Sequence, residues 1–133
     1  VTTYAGFVGD LVDMSVTGQT SLSAPPASIT GKTPVRWPML PSGEGVPVLM
    51  GGETDEHVMR AEIQVAMEAV GQNTMPTNYA AVQTGIDNLE AALKTLDQTS
   101  AYGLRWTITG AILAVGGVPY WGLTCLVTAT EYV

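Results

Sequence analysis

The stretch HVMRAEIQVAMEA, residues 57–69, decides the fold class. Met59, Ala61, Ile63, Val65 and Met67 are apolar and alternate with Arg60, Glu62, Gln64 and Glu68. The Ala, Glu and Met content leans towards helix, but strict alternation is the pattern of a strand with one buried face. We read a half-buried strand over 59–67, entered through a loop that holds His57 and the acids Glu53, Asp55 and Glu56.

The same period recurs at the C-terminal end. From Trp106 to Thr130 there is no charge for 25 residues, a length that suffices to span a bilayer. Gly116, Gly117 and Pro119 interrupt it where a turn is the natural reading. Beyond them Trp121, Leu123, Cys125, Val127 and Ala129 alternate with Tyr120, Gly122, Thr124, Leu126 and Thr128. We read two long strands joined at Gly116-Gly117, with no membrane span.

Two helices complete the layout. Thr3 is a suitable N-cap for a helix over 3–15, in which Tyr4, Phe7, Val8, Leu11 and Val12 recur at helical spacing. Gly18 is a natural stop. Tyr79, Val82, Ile86, Leu89, Leu93 and Leu96 form one stripe of a second helix over 78–97, with Glu90 and Lys94 a favourable pair on its outer side. Two helices cover one face of an antiparallel sheet. The fold class is therefore α+β, a single domain over 1–133, with a Pro-rich extended arm or hairpin inserted at 18–56.

That insertion holds six of the eight prolines and six of the fifteen glycines. SLSAPPASITGKT (21–33) has the composition of a disordered segment. PVRWPMLPSGEGVPVLM (34–50) is too apolar for that, and reads as two short extended pieces around a turn at PSGEG, forming a protruding hairpin or an added pair of strands. Prolines 34, 38 and 47 remove ladder donors, which suits an edge or an arm. An apolar arm that a small domain leaves uncovered is an assembly signal. On the arm we expect subunit contacts through Arg36, Trp37, Met39, Leu40, Val48, Leu49 and Met50, with Trp37 the best anchor. The competing reading has Trp37 folding back onto its own core.

The sheet gives a second signal. Its covered face is expected to carry Ile63, Val65, Trp106, Ile108, Ile112, Trp121, Leu123, Cys125 and Val127. Its outer face mixes Arg60, Glu62, Thr107, Thr109, Leu113, Thr124, Leu126, Thr130 and Tyr132. Such a mixture suits a subunit interface or a ring wall, and adds Leu113, Leu126 and Tyr132 to the expected contacts.

Catalytic and cofactor chemistry find no support. A catalytic zinc takes three protein ligands with His prominent among them, and this chain has one histidine and one cysteine. ETDEH lacks the D-x-D-x-D-G order of a calcium loop, and no G-x-S-x-G elbow supports a serine triad. PSGEG, MGG and VGG lack what a phosphate cradle requires. A net charge of −7 with five scattered cations argues against DNA and anionic membrane as primary ligands. No disulfide is expected, nor a signal peptide, since no basic and then apolar segment opens the chain. We expect no enzyme, cofactor or metal.

The chain resembles the tail-terminator (tail-completion) proteins of long-tailed bacteriophages, of the lambda type. The likeness runs through TTYAGFVGDLVDM, APPASITGKTPVRWPMLP, HVMRAEIQVAM, NYAAVQTGIDNLEAAL and GGVPYWGLTCLVTATEYV, and rests on order and size. It implies a homo-oligomeric, six-fold ring that ends tube growth and joins tail to head. The implied partners are the tail-tube and head–tail connector proteins, with DNA only in passage. The implied place is the virion tail near the head–tail junction, and the host cytoplasm during assembly. Neighbouring connectors and tail-tube subunits share this layout, and a small α+β enzyme or ligand-binding module is the alternative from another class.

Overall fold

The computed structural model describes residues 2–46, 56–71 and 75–132. The alternating stretch is strand β4 (Glu56–Ala69), and everything else is arranged on it. Along one side lies β6 (Val118–Tyr132), antiparallel, with β5 (Gly103–Val115) beyond it. Their hairpin turns at Gly116 and Gly117, both at positive φ (59° and 79°) as a two-residue turn demands. Along the other side of β4 lie β2 (Val35–Pro38) and β3 (Ser42–Val46), and outside β2 a short parallel strand, β1 (Thr20–Ser21). The sheet is thus mixed, although every pairing except β1 with β2 is antiparallel. Its order is β1-β2-β4-β6-β5, with β3 following β2 along β4.

Both helices sit on one face. Helix α1 (Tyr4–Asp13) begins at Thr3, whose hydroxyl accepts from the Gly6 amide at 3.0 Å. It ends at Asp13, and Gly18 instead takes positive φ in the turn that follows. Helix α2 (Met75–Thr99) starts earlier and ends later than its apolar stripe. Phe7, Leu11, Leu89 and Leu93 pack on Met59, Ala61, Ile63, Val65, Leu123, Cys125 and Val127. The expected Glu90–Lys94 pair forms at 3.2 Å. No helix among the described residues is long and apolar enough to cross a membrane.

The Pro-rich region differs from expectation in three respects. Residues 42–45 of PSGEG are strand, so no turn forms there. β2 and β3 do not pair with each other. They are consecutive lengths of one edge on β4, offset by one residue where 39–41 bulge outwards. The segment read as suited to disorder folds over the outer sheet face instead, where Ile29 is fully buried with Val35, Trp37, Ala66, Leu113, Val115 and Tyr120. Ile29 is not alone in holding the segment: Leu22 packs on the same cluster, Ser21 pairs with β2, and the Leu22 amide donates to the Arg36 carbonyl at 2.8 Å.

Candidate assembly surface

The outer face is left with two parts. At the hairpin end it is roofed by the Ile29 cluster. At the other end no element covers it among the described residues, and the register sets out what it shows: Arg60, Thr128 and Arg105 across one row, Glu62, Leu126 and Thr107 across the next, Gln64, Thr124 and Thr109 across a third. Leu126 stands 48% exposed on the central strand, and Tyr132 is 68% exposed at its end. Leu126 is thus surrounded by threonines, Glu62 and the two arginines, and Tyr132 stands apart from it at the end of β6.

The sheet is also open at its ends. β5 has no partner on its outward side among the described residues, along 13 residues of strand. At the far end β1 takes the outer side of β2, while that of β3 stays unpaired among the described residues. Unpaired strand edges present rows of amides and carbonyls that template pairing with another chain. Beside β3, Glu44 accepts from Arg60 at 2.8 Å. Both side chains are substantially exposed, so this pair contributes at most about 1 kcal/mol. Arg105 has no ion pair among the described residues.

The expected contact residues divide sharply. Leu126 and Tyr132 are where they were placed, exposed on the outer face. Leu40 is 92% exposed at the bulge between β2 and β3, and Met39 is half-buried against the Ile29 cluster. Leu113 is on the outer face but is covered by that cluster. Trp37 is 2% exposed and its Nε1 donates to Gln64 Oε1 at 3.1 Å, so it is a core residue of its own chain and not a free anchor. Arg36 is equally buried, on the helix face, where its Nη2 donates to the carbonyls of Val12 (3.1 Å) and Met14. A cation at a helix C-terminus offsets the dipole and occupies otherwise orphaned carbonyls. Burial lowers the Arg36 pKa from its usual value. Val48, Leu49 and Met50 lie outside the described residues.

His57 belongs to β4, opposite Glu131, rather than to an entering loop. Its ring is edge-on to Tyr4 at 5.4 Å, with Nε2 3.4 Å from the Tyr4 hydroxyl and Nδ1 buried without a hydrogen-bond partner among the described residues. Glu131 is engaged by the Thr2 amide (3.0 Å) and hydroxyl, and the hydroxyl bond is the main cause holding its carboxyl below the usual range. This cluster ties the start of the chain to the last strand. Among the described residues no group of three His, Cys, Asp or Glu side chains is placed to hold a metal ion. Glu53 and Asp55 lie outside the described residues. Asp10 of α1 accepts from the Tyr102 hydroxyl at 2.6 Å. Burial pushes the Cys125 thiol up to about 12, which makes it a small core hydrophobe and not a nucleophile.

Sequence reasoning missed the Thr2–Glu131 tie, the Arg36 cap and the Arg60–Glu44 pair. Each joins residues far apart in the chain, and no local pattern marks them. It also missed a cleft of about 490 Å³ on the helix face, where Tyr79, Val82 and Ile86 of α2 stand over Ile112 and Trp121. No protein-family model matches the chain, and no curated protein matches it.

Proposed function

We propose that this protein is a structural subunit of a phage virion, assembling into a six-membered ring that ends growth of the tail tube and joins tail to head. The observation that supports this best is the sheet, which among the described residues is open along β5 and β3, with Leu126 and Tyr132 exposed on its outer face. Two different free edges on one sheet suit head-to-tail contacts, and head-to-tail contacts close into rings when their rotation permits. A net charge of −7 with five cations also suits a wall past which DNA slides, because retention of DNA needs clustered Lys and Arg. The order of elements and the resemblance to tail terminators add the station.

The test is functional. Purified protein added to growing tail tubes of its phage should bind their head-proximal ends and stop elongation, with rings visible by negative-stain electron microscopy. Tubes that elongate unchanged would remove the terminator role. A chain that polymerises into tubes by itself would make it a tail-tube subunit, and one that binds only heads a connector. The apolar cleft under Tyr79 favours a ligand-binding module, since its volume is that of a small-molecule site. A monomer whose melting temperature rises with an apolar ligand would select that reading.

A further inference from the structure

The ring reading leaves open which surfaces meet, and the inference drawn here rests on it. Strands β3, β4, β6 and β5 alternate in direction, so β3 and β5 run opposite ways at the two ends of one antiparallel span. A second copy placed head to tail, without being turned over, therefore brings its β3 antiparallel to β5, and the alternation continues unbroken. Side chains keep to their faces only if the register moves in steps of two residues.

Charge selects among those steps, since Arg105 is the one charged residue of β5 and Glu44 that of β3; they face each other when the five residues of β3 lie on the first five of β5. Val46 then falls beside Gly103, Glu44 beside Arg105, and Ser42 beside Thr107. Within one chain the row through Ser42 runs to Arg105 instead, so this alignment is displaced by one two-residue step. Closing a sheet on itself requires such a stagger. The displacement sets opposite charges directly across from each other, the favourable arrangement for a cross-strand pair.

We propose that successive copies join by laying β3 of one antiparallel on residues 103–107 of the next, with Glu44 opposite Arg105. Glu44 then stands between two guanidiniums, Arg60 of its own β4 and Arg105 of its neighbour. Its carboxylate has an oxygen for each. The contact uses both free edges and gives Arg105 a partner. A two-fold pairing of β5 with β5 would leave β3 open and Arg105 without a carboxylate.

Cysteines at the two positions test this directly. In one chain they are separated by β4 and β6, about 14 Å at the usual strand spacing, beyond the reach of a disulfide. Any bond between them joins two copies, and Cys125 is buried. The chain carrying both Glu44→Cys and Arg105→Cys should give, on mild oxidation, a ladder of covalent oligomers ending at the closed ring, which neither single variant forms. Arg105→Glu, folded by circular dichroism, should assemble only at higher protein concentration than the unmodified chain. A double variant that forms rings of normal native mass yet stays monomeric on a non-reducing gel would overturn the contact and leave the ring reading intact. A ladder that stops at two copies, or Arg105→Glu rings at unchanged concentration, would overturn it as well. An unmodified chain that is monomeric at every concentration would overturn the ring reading, and this contact with it.

Discussion

Replacing Trp37 by alanine separates a core residue from an interface anchor. Trp37 is 2% exposed, packed against Ile29, Val35 and Leu113, with its indole N–H on Gln64. A buried tryptophan removes ~200 Å² from water, so its transfer term is ~5 kcal/mol at ~25 cal/mol per Å². Alanine recovers part of that area, the cavity subtracts more, and measured truncations of this kind cost about 3–5 kcal/mol. A domain of this size has a total stability of about 5–15 kcal/mol. Trp37→Ala should therefore be marginally folded. With unfolding entropy of ~2.1 cal/mol/K per residue, a chain of 133 residues loses ~14 °C of melting temperature for 4 kcal/mol. Urea unfolding followed by far-ultraviolet circular dichroism measures this without relying on the tryptophan signal. Leu40→Ala is the control, since at 92% exposure it should change stability by less than about 0.5 kcal/mol. A Trp37→Ala protein within about 1 kcal/mol of the parent, unfolding cooperatively as a monomer, would refute the core assignment.

Three further outcomes follow from the same packing. Gly122→Ala sets a Cβ 2.2 Å from the Val65 carbonyl, so β6 must move from β4 at a cost of about 3 kcal/mol or more, whereas Gly110→Ala meets only Val82 at 3.7 Å and should melt like the parent. Arg36→Ala removes the donor to the Val12 and Met14 carbonyls and should cost about 3 kcal/mol, read as faster hydrogen exchange in α1 and a lower urea midpoint. Glu131 has a folded pKa below its unfolded value of about 4.3, so the stability it contributes is fully present above that pH and is lost as pH falls through the folded value. Glu131→Gln should flatten that part of the stability curve between neutral and acid pH, and an unchanged slope would show that the Thr2 bonds contribute nothing.

What was legible in the sequence is what local periodicity carries. Alternation at 59–67 and 121–129, the glycine pair at 116–117, and the Thr3 cap each encode their own element within a few residues. The Pro-rich region was not legible in that way. PSGEG has turn chemistry, but the open edge of β4 offers its backbone a ladder, and a partner at that separation leaves no local trace. Trp37 and Leu40 are three residues apart with the same apolar character, yet one is buried and the other almost fully exposed. The difference comes from Ile29, arriving from a segment whose composition reads as solvated. Exposure of Leu126 and Tyr132 was legible because a strand has two faces and the helices covered one.

Self-assembly is read without any mutation from the native mass of the unmodified chain. Native mass spectrometry or light scattering behind size exclusion, run over a range of concentrations, should resolve a closed species of six subunits of 13.9 kDa each. Its population should fall as salt is raised, because the proposed contact pairs solvent-facing charges. A single 13.9 kDa species at every concentration and ionic strength would contradict it.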